Sequence, residues 1–497
     1  MSELLQQVHA VVDDVGGVLR RETARRPFLG PRLLPAGLDR ILELMDTVPD
    51  KGRRELVWNL ILQGFDRRIL GTASRQGAAS YRSWTAAHAP EVLRPEDEEP
   101  YRFRMSWGIP EAIGAVMDPV DRIGACVQRR YRELGRRDDE LGDRPHIGGQ
   151  DEVLVTEEHG YVMGMDGRIW RVHWSDGALE IVCRPPRMPT GAVLLGSDIY
   201  FCATRWSERV PPADRPGGIY RMSLEGDPPM TAEPVALRVP WREEFEWGPV
   251  SRSDDPASVT VYSREEIEEG EMSLDEVEAL AVSRPICYAN DLAIDDEGRY
   301  LFFTESSPYT SMGLESRVEI VKLTRNGRLW RVDLEERRIG LVAEDLAFVD
   351  GVVTLEDRVL VTELGRFRML ELDLEEREAR VVVRDLPGMP DGTTRFDGFV
   401  WQALLHERTT LITLLHRHTW VKRLYQLLPD ALKKAPPGCG ILVLDETTLE
   451  PVYCTMHDGS RLHHLATVTP HRKGVFLPSF HEGSRGLHWI PNPLTRR

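Results

Sequence analysis

The sequence lacks long apolar runs. No stretch in its 497 residues reaches the roughly 18 consecutive apolar residues that indicate a membrane span, so no transmembrane helix is expected. The first segment, MSELLQQVHAVVDDVGG, contains acidic residues and no apolar core, so no secretory signal is expected either. These two absences predict a cytoplasmic protein.

Cysteine is scarce, and no CxxC pair occurs. The six cysteines lie far apart in the chain: Cys126, Cys183, Cys202, Cys287, Cys439 and Cys454. Without a predicted signal, this distribution indicates reduced, mostly buried thiols rather than a disulfide framework or a zinc site. GxSxG, HExxH and P-loop motifs are also absent, which leaves a serine-hydrolase elbow, a zinc protease and an NTPase without support.

Basic residues are outnumbered by acidic ones. The chain has 63 Lys and Arg against 80 Asp and Glu, which gives a net charge of −17. A nucleic-acid partner is not expected, because phosphate binding requires a basic face. An acidic chain of this kind is compatible with a cation site and with a small-molecule ligand.

The N-terminal part has the apolar spacing of helices. Leu5, Val8, Val12, Val15 and Leu19 recur with the helical period, and later segments up to about residue 134 continue the pattern. Residues 1–145 are therefore predicted to form an all-α domain of about five helices. The polar stretch 134–145 is the expected linker.

Beyond residue 150 the apolar period changes to two, with frequent turn signals. Six similar units each place a turn before alternating large apolar residues: GRIWRV, GGIYRM, GRLWRV, FRMLELDL, CGILVLD and GLHWI. Most of them follow another strand with its own turn. This repetition predicts a mainly β fold, a six-bladed β-propeller over residues 146–497. A β-sandwich is the alternative, but it does not account for six similar units.

Two insertions interrupt the repeat. Residues 240–283 are acidic and contain a predicted short helix from Ser273, because Ser-Leu-Asp-Glu resembles a capping box. Residues 405–436, which include Trp420, are amphipathic. We expect a helix packed on the propeller rim there, with an apolar lid over the channel or a membrane-surface contact as the alternatives.

Polar residues begin the innermost strand of each predicted blade, where the strands approach the propeller axis. These residues are Asp151 or Glu152, Thr190, Asn290, Asp350, Asp391 and His464. Carboxylates that share a buried channel repel one another unless a cation is bound. Oxygen donors favour calcium, followed by magnesium or manganese. The alternative is that each Asp or Asn caps its own turn.

These segments carry a family resemblance. The chain from about 149 to 490 resembles the strictosidine synthase-like propellers, relatives of the gluconolactonases and paraoxonases. ANDLAIDDEGRYLFFTESS resembles the family's Asn-Asp-Leu strand, with Glu305 in place of an aspartate, and DLPGMPDG resembles a second family segment. The resemblance implies a six-bladed propeller with a central calcium. It is consistent with the predicted metal ligands Asp151, Asn290, Asp350 and Asp391, with Asp151 in the slot of the first-blade glutamate.

The family's catalytic residues do not all map onto this chain. The glutamate of strictosidine synthase corresponds to Ala466, and the paraoxonase histidine corresponds to Thr190. The amine–aldehyde condensation of that synthase is therefore not expected. His464 is the candidate general base, because strand parity turns it toward the channel and His463 away. A structural histidine is the alternative.

The leading functional hypothesis is a calcium-dependent hydrolase of a hydrophobic lactone or ester. Candidate pocket residues are Glu152, Thr190, Asp291 and Trp420. A non-hydrolytic biosynthetic enzyme, such as a cyclase or condensing enzyme of natural-product metabolism, is the first alternative. A non-catalytic binding or scaffold protein is the second.

Overall fold

The computed structural model describes residues 147–496 together with Ile113 and Val116. Gaps in the described range fall at 176–177, 205–216, 241–257, 279–281, 309–311, 313–318, 322, 324, 357, 410–411, 413–434, 461, 473 and 482–485. The predicted helical domain over 1–145 therefore lies outside the described residues except at those two helical positions. Trp420 and most of the 405–436 insertion lie outside them as well.

The described strands form six sheets that follow one another along the chain as blades, which confirms the predicted six-bladed propeller. In blades 1 and 2 four strands hydrogen-bond in chain order. Blade 1 contains β1 (Gln150–Val155), β2 (His159–Gly164), β3 (Arg168–His173) and β4 (Leu179–Cys183). Blade 2 contains β5 (Met188–Leu195), β6 (Asp198–Thr204), β7 (Gly218–Ser223) and β8 (Glu233–Ala236).

The first predicted insertion separates blades 2 and 3 and forms short elements of its own. These are β9 (Arg238–Pro240), β10 (Thr260–Val261), α1 (Arg264–Gly270), β11 (Met272–Ser273), α2 (Leu274–Val277) and β12 (Ser283–Pro285). The predicted capping box is present, because Ser273 accepts from the N–H of Glu276 and the Glu276 carboxylate accepts from Ser273. A second capping box, formed by Ser263 and Glu266 at α1, was not predicted.

Blades 3 to 6 complete the propeller. Blade 3 contains β13 (Tyr288–Ile294), β14 (Tyr300–Ser307), β15 (Gly327–Asp333) and β16 (Arg338–Leu346), and its outer edge pairs with β10 and β11. Blade 4 contains β17 (Val349–Leu355), β18 (Arg358–Glu363), β19 (Arg368–Asp373) and β20 (Glu378–Val383). Blade 5 contains β21 (Gly388–Phe396), β22 (Phe399–Glu407), β23 (Cys439–Asp445) and β24 (Pro451–His457). Blade 6 contains three described strands, β25 (Thr469–His471), β26 (Gly474–Leu477) and β27 (His488–Ile490).

The first strand of every blade lies at the centre of the propeller. β1, β5, β13, β17, β21 and β25 each contact the first strand of the next blade, and β25 contacts β1, so that the ring closes. The closure includes a hydrogen bond from the Gln150 N–H to the Ser479 carbonyl, at 2.7 Å. The six similar sequence units coincide with the third strands, β3, β7, β15, β19, β23 and β27. The strand–turn–strand repeat was therefore assigned correctly.

The apolar core lies between neighbouring blades. One cluster joins Phe201 and Tyr220 of blade 2 to Ile169 of blade 1, and another joins Phe303 and Trp330 of blade 3 to residues of blade 2. Each such side chain contributes about 1.5–3 kcal/mol on burial, so the packing between blades is a major source of stability. The five described cysteines are buried thiols, as predicted. No helix among the described residues is long and apolar enough to cross a membrane.

Candidate functional site in the central channel

Five of the six innermost strands carry a β-bulge at the same place. At the bulge, the inner strand uses three residues to span the distance that the second strand spans with two. This occurs in β1, β5, β13, β17 and β21. The first residues within these bulges are Asp151, Thr190, Asn290, Asp350 and Asp391. A bulge releases residues from the ladder and re-aims their side chains, here toward the axis. The predicted polar positions thus occupy one level of the channel, which we call the channel ring.

The second residue of each bulge explains two further sequence features. In blades 2, 4 and 5 it is a glycine: Gly191, Gly351 and Gly392. A Cβ at Gly351 would lie 2.4 Å from the carbonyl oxygen of Asp391 in the next blade, so no side chain fits there. The sequence analysis predicted Asp350 as a metal ligand and offered a turn as the alternative reading of the Asp-Gly pair, but it did not foresee that the glycine permits close packing of blades.

In blades 1 and 3 the second bulge residue is acidic and is used to bind backbone. Asp291 accepts from the Leu292 N–H at 2.8 Å and from the Val352 N–H of blade 4 at 3.2 Å. Glu152 accepts from the Val153 N–H at 2.8 Å and from the Thr469 hydroxyl of blade 6 at 2.9 Å. Both predicted pocket residues therefore join neighbouring blades.

The channel ring contains a hydrogen-bonded chain across three blades. The amide nitrogen of Asn290 donates to Asp350 at 2.6 Å and to the Ser306 hydroxyl at 3.0 Å. Asp350 in turn shares a hydrogen bond with Asp391. Burial raises the pKa of Asp350 to about 6, although the hydrogen bonds with Asp391 and Asn290 lower it. Burial and the Asp350 charge raise the pKa of Asp391 well above its usual range, so this pair shares a proton.

Asp151 faces the same charges from blade 1. Burial raises its pKa well above the ordinary value, and the charges of Asp350, Glu152 and Asp291 raise it further. Asp151 and Asp391 retain some accessible surface, although protein surrounds both of them. That combination is expected of a side chain on a channel wall. Burial also raises the pKa of Glu152 to about 7.

The channel ring also includes Thr190 in blade 2 and one position in blade 6. Thr190 is fully buried, and its hydroxyl donates to the Ala289 carbonyl of blade 3 at 3.4 Å, so it also joins blades. In blade 6 the equivalent position is Ala466, whose carbonyl accepts from the Gly392 N–H at 2.9 Å. His464 lies two residues before Ala466 and therefore one level away from the channel ring.

Residues two positions before the channel ring form an apolar layer. Met188, Tyr288, Phe348 and Met389 belong to one apolar cluster, which also includes Phe480. His464 occupies the corresponding position in blade 6, and its carbonyl accepts from the Phe480 N–H at 2.8 Å. Tyr288 lies close to the acids of the channel ring. Burial raises the pKa of its phenol well above the ordinary value, and the charges of Asp350, Asp391 and Asp151 raise it further.

His464 lies among other histidines. Its ring centroid lies 4.4 Å from that of His406 and 5.2 Å from that of His481. His463, which was expected to point away, contacts His481 as well, at 4.9 Å. Both neighbours therefore contact His481, and His464 adopts a left-handed backbone, with φ of 48°.

Two buried glutamates bind the backbone that leads into two of the inner strands. The sequence did not reveal this role. Glu305 accepts from the Cys287 N–H at 3.2 Å and pairs with Arg284 through two contacts of 2.7 Å. Glu363 accepts from the Ala347 N–H at 2.6 Å in the next blade. Cys287 and Ala347 both lie three residues before a channel-ring residue. Their matching spacing is the signal that could have identified the pair.

The donor types in the channel fit a hard cation. Three carboxyls and one amide occupy the channel ring, and burial raises the pKa of each carboxyl, so that ionisation is disfavoured without a counter-charge. Among the described residues, no three His, Cys, Asp or Glu side chains are already arranged as a ligand set. Asn290, Asp350 and Asp391 instead bond to one another, and an ion would replace those bonds.

The bulged inner strands and the carboxyls on their axis define the class: an acid-lined six-bladed β-propeller. Comparison with curated proteins confirms the resemblance to the strictosidine synthase-like propellers. Protein STRICTOSIDINE SYNTHASE-LIKE 10 of Arabidopsis thaliana is 30% identical over 157 residues, 30% of this chain and 41% of that protein. Adipocyte plasma membrane-associated protein of Salmo salar is 28% identical over 172 residues, 32% of this chain and 41% of that protein.

The matches thus span about two fifths of the length of these relatives. No family model matches the chain. Among solved structures, the calcium-binding protein regucalcin of Agrobacterium tumefaciens is 11% identical with a TM-score of 0.39, and covers 72% of this chain and 95% of its own. A likeness of that size carries no inference about function. The relatives' names connect the chain with enzyme-like propellers in general, and calcium binding and hydrolysis stay predictions.

Proposed function

We propose that the protein is a calcium-dependent hydrolase acting on a lactone or ester of an apolar small molecule. The observation that supports this most strongly is the convergence of Asp151, Asp350 and Asp391 in a buried channel where all three pKa values are raised. Natural proteins seldom keep several buried carboxyls close together without a cationic partner unless the carboxyls have a functional role. A bound divalent cation offsets the cost of ionising them.

Asp151, Asn290, Asp350 and Asp391 would hold the ion through side-chain oxygens, the donors that calcium prefers. When bound, calcium supplies a Lewis acid that polarises a carbonyl oxygen. Asp291 and Glu152 would hold the channel ring in place, because their carboxylates accept hydrogen bonds from the backbone N–H groups that follow the ring. Their substitution should therefore loosen the ring without removing a ligand.

The apolar layer would hold the substrate. Its residues Met188, Tyr288 and Phe348 pack together, and each lies two residues before a channel-ring residue in sequence. His464 takes the same position in blade 6 and would serve as the general base. Its strained backbone supports a functional role, because such strain persists only where the surrounding structure holds it.

A panel of lactones and acyl esters tests this proposal, with activity measured in calcium and in chelator. We expect turnover that chelation abolishes and added calcium restores. His464→Ala should lower kcat by roughly 10²–10⁴ and leave calcium affinity unchanged. His471→Ala is the matched control, because His471 lies in β25 and faces Glu157 at 3.9 Å. Turnover that survives both chelation and Asp350→Asn would contradict the proposal.

One observation favours a cyclase or condensing enzyme as the second candidate. The apolar layer is closely packed, with Met188 at 7%, Tyr288 at 5% and Phe348 at 4% exposure, and Ala466 leaves the sixth channel position without an acid. An apolar pocket of this kind can fold a substrate while excluding water. Calcium binding without hydrolysis of any lactone or ester would favour this candidate.

A further inference from the structure

Four histidines meet beside the apolar layer, and the hydrolytic proposal uses only one of them. They come from three separate segments: His406 from β22, His463 and His464 from the segment before β25, and His481 from the segment after β26. The rings form a continuous row with centroid separations of 4.4 Å, 5.2 Å and 4.9 Å. All four remain partly accessible.

The backbone around this row is firmly held. The Ser479 hydroxyl donates to the His463 carbonyl at 2.6 Å, and the Phe480 N–H donates to the His464 carbonyl at 2.8 Å. His481 itself lies against blade 1, where a Cβ on Gly149 would approach the His481 carbonyl to 3.0 Å. The imidazoles are therefore positioned by the fold, and the left-handed His464 is part of that arrangement.

The surroundings of His463 disfavour its protonated form. Burial lowers the pKa of His463, and His481 and His457 lower it further, while Asp458 raises it. His488, which faces His457 and His463, is buried, and burial lowers its pKa to about 3. His457 accepts from the Leu462 N–H through Nε2 at 3.1 Å.

We propose that the histidine row centred on His481 binds the carboxylate of an amphiphilic substrate whose apolar part enters the apolar layer. The row supplies N–H donors and becomes cationic on protonation, which suits an anion, whereas Met188, Tyr288 and Phe348 suit an alkyl chain or ring. This inference rests on the proposed small-molecule pocket and names its substrate class. It does not depend on which reaction follows.

Proton uptake is the signature of such a site. An anion stabilises imidazolium, so binding should take up protons and become tighter as the pH falls from 8 to 6. The gain is at most about tenfold per pH unit for each coupled proton. The ligand's own carboxyl stays ionised over this range, because its ordinary pKa is about 4–5.

Calorimetric titration of the full chain with octanoate, with octanol as the neutral analogue, tests the inference without any turnover. We expect octanoate to bind more tightly than octanol at pH 6, by about tenfold or more, and to lose most of this preference at pH 8. His481→Gln and, independently, His463→Gln should each reduce the preference at least fivefold. His471→Gln should leave it unchanged, because that histidine is outside the row.

The titration is run in calcium and in chelator, which separates this inference from the hydrolytic proposal. Octanoate binding that requires calcium and ignores His481→Gln would show carboxylate bound at the ion and would overturn the histidine site. Equal affinity for octanoate and octanol at pH 6, or affinity independent of pH, would overturn it too. A histidine-dependent preference in a chain that hydrolyses nothing would support the inference while the hydrolytic proposal fails.

Discussion

Asp350 is the residue on which the channel chemistry depends most. It lies between an amide that donates to it, Asn290, and an acid that shares its proton, Asp391. A carboxyl in this position is stabilised when half of the pair is protonated and destabilised when both ionise. Its ionisation should therefore control both the stability of the ion-free protein and its affinity for calcium.

Asp350→Asn should separate these two effects. Removing one of the repelling acids should leave the melting temperature of the ion-free protein unchanged or raised at pH 8, because fewer buried charges remain. The same change should abolish most of the stabilisation by calcium, which scanning calorimetry measures directly. Asp275→Asn, at a carboxyl that is 91% exposed, is the control and should preserve the calcium response.

The pH dependence of stability follows from the same acids. Asp350 and Glu152 have pKa values raised to about 6 and about 7, so the folded state binds more protons than the unfolded state. Their contribution to stability is present at low pH and is lost as the pH rises through about 6 and about 7. His488 acts oppositely, because its lowered pKa of about 3 removes stability as the pH falls below 6.5.

Between pH 6.5 and 8 the effect of the acids should exceed the smaller, opposite effect that His488 still has. Urea unfolding in chelator should give a lower free energy of unfolding at pH 8 than at pH 6.5, by roughly 1 kcal/mol or more. Calcium should reverse the trend, since it binds the ionised ligands. A free energy of unfolding that rises with pH in chelator would show that the acids are not the controlling groups.

The inner strand, with its repeated bulge, is the element that builds the site. Five strands release two residues at the same point, and the second of them is either glycine or an acid that binds backbone. This rule explains why Gly351 and Gly392 follow aspartates and why Asp291 follows Asn290. The bulge makes polar residues available to the axis while the rest of the strand stays in the ladder.

Gly351→Ala tests the packing at this element. The new Cβ would lie 2.3 Å from the Thr393 hydroxyl and 2.4 Å from the Asp391 carbonyl, so blades 4 and 5 would have to move apart. We expect a loss of about 1–3 kcal/mol, measured by urea unfolding, together with weaker calcium binding. Gly148→Ala is the matched control, because nothing lies within 4 Å of a Cβ there. Equal stability of the two variants would contradict the role assigned to the bulge.

Part of this element could be predicted from the sequence. The predicted inner strands QDEVLV (150–155), YANDLAI (288–294) and VDGVVTL (349–355) have the same bounds as β1, β13 and β17, because alternation and turn residues mark both ends. The segment LHHLATV (462–468), which was expected to begin the inner strand of blade 6, is not a regular strand, since β25 begins only at Thr469. His464 was therefore assigned to the channel ring although it lies two residues before Ala466, the position that aligns with the other bulges.

Contacts between blades were the features that the sequence could not reveal. Glu305 was recognised as a departure from a family pattern, yet its pairing with Arg284 and the Cys287 backbone depends on residues brought together by folding. Arg284→Ala should cost about 3–5 kcal/mol, because it leaves the Glu305 charge buried and without its cation. Urea unfolding measures this loss. A loss below about 1 kcal/mol would mean that Glu305 protonates instead.

At the level of the whole molecule, six blades place four polar side chains, far apart in sequence, around one axis. The repeat and its polar strand starts were enough to predict this convergence, because every blade brings its first strand to the centre. The histidine row escaped prediction, since His406 lies in the second strand of blade 5 and His481 in a loop of blade 6, and only the packing of these two blades brings them together.

The most direct test of the central claim is a calcium titration of the chelator-treated full chain by isothermal calorimetry, at pH 7.5. The account predicts one calcium per chain, release of protons on binding, and loss of the binding signal in Asp350→Asn but not in Asp275→Asn. The absence of calcium binding, or binding that persists unchanged in Asp350→Asn, would contradict it.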